Sequence, residues 1–185
     1  MTSDGIVAGE TPEDTGRSDV ARIATIALAA FLSVLGAIRY GVQGETVVVI
    51  FAICVLVVIS RHDLERRIIP NRIVVPGWIA ILIAQLALHP HHLLAWLVSS
   101  FGAGLFFLVV LLAYPAGMGM GDVKLALLIG ATLGFKVVGA LFLGTLAAGI
   151  FAAVMLFKEG SSARKSSIPL GPFLAGGAIV VLLFF

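Results

Sequence analysis

The chain has 185 residues, of which 60% are hydrophobic and 12% charged, and its mean hydropathy is +1.13. A soluble domain carries about 25% charged residues, so lipid must solvate most of this surface, and a water-soluble fold is excluded. The formal net charge of +2 is small and unevenly placed; membrane lipids are the expected surroundings, and no nucleic-acid partner is expected.

Residues 1–19 hold Asp4, Glu10, Glu13, Asp14 and Asp19 against Arg17. This is the opposite of the positive start of a secretory signal and reads as a disordered acidic tail. An apolar segment at 20–38 follows, forming with its loop an extra N-terminal transmembrane unit over 20–45. The remaining core, 46–185, contains apolar segments at about 46–60, 73–88, 93–113, 123–135, 137–157 and 168–185. A spanning helix needs about 20 apolar residues, so 123–135 is short and must thin the bilayer, re-enter it or run on into the next helix. The fold class implied is an all-α polytopic bundle of about six core segments plus one N-terminal helix.

With the N-terminus inside and every segment crossing, Arg17, Arg22, Arg61, Arg66, Arg67, Arg72, Lys124, Lys158, Arg164 and Lys165 lie on the cytoplasmic side. Arg39 and Lys136 lie outside. That asymmetry is the positive-inside pattern. Trp78 and Trp96 fall near segment ends, as an aromatic belt requires. Gly130 and Gly134, and then Gly139, Gly144 and Gly149, are spaced to let helix backbones approach closely.

Acidic side chains are costly near hydrocarbon and mark function there. Most of the acids fall in the N-terminal tail or in loops; Glu65 sits among arginines. Asp63 and Asp122 remain, each at the cytoplasmic end of an apolar segment. Asp122 follows Gly117, Gly119 and Gly121, which allow strained backbone or close approach by another chain; the structural alternative is a loop with Asp122 as a helix N-cap. Asp63 opens a stretch running to Pro70 and Asn71; the structural alternative is a loop acid neutralised by arginines. Two aspartates on one face of a small bundle can converge. Carboxyl groups a few Å apart cannot both ionise, so one acts as base on water while the other, protonated, donates to a carbonyl oxygen.

Gly119-Met-Gly-Asp122 resembles the GxGD signature of the type IV prepilin peptidases, a group of intramembrane aspartyl proteases. Asp63 through Ile69-Pro70-Asn71 is similar to that family's first-aspartate motif. Ile168-Pro-Leu-Gly-Pro-Phe173 resembles its C-terminal IPxGPF element. The resemblance implies an inner-membrane endopeptidase that removes the leader of pilin-like precursors at the cytoplasmic face, with Asp63 and Asp122 on the catalytic positions. Gly119, Gly121, Pro70, Asn71 and Lys124 are candidate access or supporting residues. Among subtypes the chain looks most like the short peptidases of Tad/Flp pilus systems and the preflagellin peptidases. It lacks the four cysteines of the zinc region found in large members, so N-methyltransferase activity is not expected. No metal and no cofactor is expected, and the expected partner is a prepilin-like substrate.

His89, His91 and His92 surround Pro90 and read as an interfacial turn rather than a metal site. His62 adjoins Asp63 but does not share its helix face. Two other functions are open: acids in an apolar bundle also fit a small proton-coupled carrier, and the extra N-terminal helix and tail fit a non-catalytic assembly protein of a pilus or secretion system.

Overall fold

The computed structural model describes residues 12–41, 43–115, 117–159 and 169–185. Among them there is no strand. Seven α-helices follow in order: α1 Pro12–Tyr40, α2 Gly44–Arg66, α3 Asn71–Leu88, α4 Leu93–Ala113, α5 Met120–Leu133, α6 Val137–Glu159 and α7 Gly171–Phe184. Short 3-10 turns, Pro90–His92 and Gly134–Lys136, precede α4 and α6. Five stretches are long and apolar enough to cross a membrane, one of them the run Met120–Lys158 that contains both α5 and α6. The all-α polytopic architecture expected from composition is the one observed.

Several boundaries differ from the expected ones. The first helix begins at Pro12, within the stretch read as a disordered tail; Pro followed by Glu13 and Asp14 is a helix-start pattern. Residues 1–11 of that stretch lie outside the described residues, as do Arg164, Lys165 and Ile168. α2 does not stop near residue 60 but runs on to Arg66, helped by an Arg61 Nε–Glu65 Oε1 pair at 2.6 Å one turn apart. It ends where Arg67 adopts the left-handed conformation, φ 53°, and donates its N–H to the Asp63 carbonyl at 2.8 Å. Asp63 therefore sits on a helix and not in a loop.

The short segment is the centre of the molecule. α5 packs against α3, α4 and α7, and Leu125, Ala126, Leu128, Ile129 and Ala131 are fully buried. A helix wrapped in protein need not match the hydrocarbon thickness, which removes the length objection to a traverse. Its 14 residues rise roughly 21 Å and cross the bundle from end to end. At the far end Gly134, φ +58°, reverses the chain beneath Trp96. There Lys136 Nζ donates to the Phe185 carbonyl at 2.8 Å, Glu45 Oε1 meets His89 Nε2 at 2.9 Å, and the Tyr40 hydroxyl donates to the Leu182 carbonyl at 3.1 Å. The opposite end gathers the α2–α3 linker, the α4–α5 loop and the approach to α7.

Small residues set the helix contacts, though not all those expected. A Cβ on Gly130 would lie 2.6 Å from the Ser99 carbonyl oxygen and from the Ser100 Cα, so α4 and α5 touch backbone to backbone. Ser100 ties this seam: its hydroxyl donates to the Leu127 carbonyl at 2.7 Å and accepts from the Trp78 indole N–H at 2.8 Å. Trp78 thus turns inward to α4 instead of serving an interfacial belt. On the α6–α7 seam, a Cβ on Gly144 would lie 2.8 Å from Leu174 Cα, and one on Gly177 would strike the Ala140 carbonyl. Gly139 and Gly149 face open space and hold no helix contact.

This contrast is testable. Gly177→Ala should lower stability by about 1–3 kcal/mol, since the backbone of α6 cannot yield to a methyl group. Gly139→Ala should be neutral or stabilising by up to about 1 kcal/mol. Thermal unfolding of the two variants in detergent, compared with the unaltered protein, reads the difference.

Candidate active site

Asp63 lies one turn before the end of α2, and Asp122 lies in the first turn of α5. Their side chains are among the few buried acids of the bundle, 6% and 8% exposed. Both line one open cavity of about 810 Å³ at the end of the bundle that carries the α2–α3 linker. The two residues, far apart in sequence, thus face the same space.

Burying a carboxyl group in an apolar bundle is costly unless it finds donors. Each aspartate finds one at a helix N-terminus, where backbone N–H groups have no partner within the helix. Asp122 is the third residue of α5 and accepts the N–H of the N-cap residue Gly119 at 3.0 Å. It is therefore not the N-cap residue itself, but it closes the first turn from inside. Asp63 reaches a different helix: its Oδ2 accepts the N–H of Gly171, the first residue of α7, at 2.9 Å. Both acids also face the positive ends of these helix dipoles.

The glycines near the site do different jobs. A Cβ on Gly171 would sit 2.6 Å from Asp63 Oδ2, so only glycine lets α7 approach this close. A Cβ on Gly121 would meet Ile69 Cβ at 2.8 Å, which presses the start of α5 onto the α2–α3 linker, and one on Gly117 would overlap the Tyr114 ring. Gly119 has room around it and borders the cavity. Strain is not the reason for these glycines, since the described glycines with positive φ are Gly41 and Gly134.

Of the supporting candidates, Gly119 and Gly121 line the cavity, whereas Pro70, Asn71 and Lys124 do not. Pro70 is the N-cap residue of α3. Asn71 Oδ1 accepts from Lys124 Nζ at 2.7 Å, a tie between the first turns of α3 and α5 that holds the walls near the site. His62 is not a lining residue. Among the described residues, no three His, Cys, Asp or Glu side chains gather as a metal site would require.

Sequence reasoning missed the far wall. Thr145, Ala148, Gly149 and Ala152 of α6 line the cavity, as do Arg67 and Tyr114. The α6 residues carry no group that signals chemistry; only the small size of every residue on that face distinguishes it. Gly171 was visible within the C-terminal motif, but its amide role was not.

A profile of the type IV leader peptidase family matches residues 50–157, a stretch that includes both aspartates. The chain belongs to that family. It is 30% identical over 158 residues to a prepilin leader peptidase/N-methyltransferase of Bacillus subtilis (strain 168), covering 84% of this chain and 62% of that relative. It is 30% identical over 159 residues to the protein of the same name from Pseudomonas putida, covering 83% and 55%. The Aeromonas hydrophila relative is 26% identical over 169 residues, covering 85% and 56%. The chain thus spans little more than half the length of these curated relatives. No solved structure matches it significantly.

Because Asp63 takes its donor from Gly171, Gly171→Ala should displace the Asp63 carboxyl group with little loss of fold. Cleavage of a prepilin-like precursor, the activity proposed below, should fall at least about tenfold, while the thermal midpoint in detergent moves by only a few degrees. Unchanged cleavage would show that the Asp63–Gly171 contact does not position the site.

Proposed function

We propose that the chain is a membrane-embedded aspartyl endopeptidase that removes the leader from prepilin-like precursors at the cytoplasmic face of the inner membrane. The observation that carries this reading is the convergence of two buried aspartates on one open cavity, each steadied by a backbone amide. The family supports a prepilin leader as substrate. The two-aspartate mechanism and the orientation are our own reading of the residues.

An extended peptide lies across the cavity with its scissile carbonyl between the two carboxyl groups. The ionised aspartate removes a proton from water as its oxygen attacks the carbonyl carbon. The protonated aspartate donates to the carbonyl oxygen, giving a neutral gem-diol intermediate. That intermediate collapses as its C–N bond breaks, the nitrogen takes up a proton, and the pair returns to one proton shared between two carboxyl groups. The proton belongs to the pair and not to either residue. The backbone N–H groups of Gly171 and Gly119 hold one oxygen of each acid in place, so the pair is set before substrate arrives.

Orientation follows from charge. Arg61, Arg66, Arg67, Arg72 and Lys158 lie toward the cavity end, whereas Arg39 and Lys136 lie toward the other. The positive-inside bias supports a cytoplasmic position for the cavity end.

Asp63→Asn and Asp122→Asn should each reduce cleavage of a purified prepilin-like precursor by at least about 100-fold, the usual contribution of a general acid or base. Normal cleavage by either variant would remove that residue from the chemistry. Activity should also follow a bell-shaped pH profile. It falls in acid as both carboxyl groups become protonated and no base remains, and in alkali as both ionise and no acid remains. A sigmoid profile with a single limb, measured on a substrate with no titratable group of its own, would contradict a shared proton.

A further inference from the structure

A smaller hollow, of about 200 Å³, lies at the far end of the bundle, away from Asp63 and Asp122. It opens between helix ends. α2 starts beside it at Glu45, α3 ends at Gln85 and His89, α5 ends at Leu133, and α7 reaches it at Leu182. These helices are apolar, and hydrocarbon surrounds a bundle only as far as its apolar segments run. The hollow therefore stands at the level of the lipid headgroups, a depth that suits Trp96 in its wall.

Its lining carries both signs of charge and unspent hydrogen-bonding capacity. Glu45 brings a carboxylate and Lys136 an ammonium. One Glu45 oxygen, Oε1, meets His89 Nε2 at 2.9 Å, while Oε2 has no hydrogen-bond partner among the described residues. Lys136 Nζ spends one of its three protons on the Phe185 carbonyl at 2.8 Å. Gln85 is the telling residue. It is 6% exposed and lines the hollow, and its side-chain amide makes no hydrogen bond among the described residues. A buried amide is costly unless it bonds. The Trp96 indole N–H and His89 Nδ1, in the same wall, are buried without partners as well. One water needs only about 10–15 Å³ of such space, so the hollow admits a polar group several times larger. A fixed anion, a fixed cation and a deep amide that both donates and accepts together match a zwitterion that carries N–H donors.

We propose that this hollow binds the headgroup of an aminophospholipid, its phosphate on Lys136, its primary ammonium on Glu45 and the Gln85 amide bonded to it from below. A choline headgroup has no N–H to give Glu45, and a glycerol headgroup has no cation. The inference needs only the membrane setting and is independent of the endopeptidase reading. It also gives the lipid a structural task. α2, α5 and α7 meet at the hollow, and at their other ends they carry Asp63, Asp122 and Gly171. A headgroup held there braces the three helices that set the two acids.

The test offers the full chain, in detergent, equal amounts of phosphatidylethanolamine, phosphatidylcholine and phosphatidylglycerol with identical acyl chains, and reads the retained lipid by native mass spectrometry. One phosphatidylethanolamine should be retained, with a preference of at least about tenfold over each of the others, as hydrogen bonds to charged groups provide. Glu45→Gln should bring the preference over phosphatidylglycerol close to unity. Gln85→Leu, which trades an unpartnered amide for an apolar side chain of similar size, should lower retention at least about tenfold; it decides alone if Glu45→Gln fails to fold. Lys158→Met, at the opposite end of the bundle, should leave retention unchanged. Equal retention of the three lipids overturns the proposal, and so does retention that Gln85→Leu leaves intact or that Lys158→Met lowers as much. Stronger retention of phosphatidylglycerol marks a site for anions alone and overturns it too. Free O-phosphoethanolamine at the same concentration should not displace the lipid; displacement would assign the hollow to a soluble solute and overturn the lipid assignment.

Discussion

Two acids cannot rest inside an apolar bundle without donors, and this bundle supplies the donors from helix N-termini. Asp122 closes the first turn of its own helix through Gly119. Asp63 depends on a helix more than a hundred residues away, through the amide of Gly171. That second contact places a demand on the whole far side of the molecule. α7 must begin within hydrogen-bond reach of the end of α2, and it does so because Gly144 and Gly177 let it lie backbone to backbone on α6. Packing that looks generic therefore governs the position of one carboxyl group. This link runs from small residues, to helix approach, to a hydrogen bond, to the geometry of the site.

The same logic explains the helix that carries Asp122. α5 is too short to face lipid as an ordinary span, yet it is the most enclosed helix of the bundle. Ser100 stitches it to α4 and, through Trp78, to α3. Enclosure leaves the acid at its start in a fixed place, with Gly121 pressed against Ile69 of the linker that follows Asp63. The two aspartates are thus fixed relative to each other by short contacts on both sides. α6, by contrast, is held mainly by α7, and its small residues Ala148, Gly149 and Ala152 form one wall of the cavity.

Much of this was legible in the sequence, for clear reasons. Composition announced the lipid environment, and charge asymmetry grouped the loops that the fold brings to one end. Asp63 and Asp122 stood out because acids are rare beside apolar segments, whereas the glycines before Asp122, expected to admit another chain, show Gly121 against Ile69 and Gly117 against Tyr114 of the same chain. What was hidden lies in residues without distinctive chemistry. Gly171 acts through its amide, which every non-proline residue has; only its lack of a Cβ matters, and that shows only once Asp63 is known to be 2.9 Å away. The α6 wall consists of Thr145, Ala148, Gly149 and Ala152, any of which could equally have faced lipid or a neighbouring helix. The extension of α2 through Asp63 was missed because a charged stretch after an apolar run reads as a loop, although Arg61 and Glu65 pair along a helix. Trp78 lies near a segment end, where an aromatic belt is the expectation, and its inward bond to Ser100 depends on a partner on another helix.

The claim on which all this turns is that carboxyl groups on α2 and α5 occupy one space in the native membrane. Cysteines placed at 63 and 122 in a Cys54→Ser background, and treated in intact membranes with a short bifunctional thiol reagent, test it most directly. An intramolecular link between the two positions is expected. Labelling of each cysteine by the corresponding monofunctional reagent without any link between them would contradict the account.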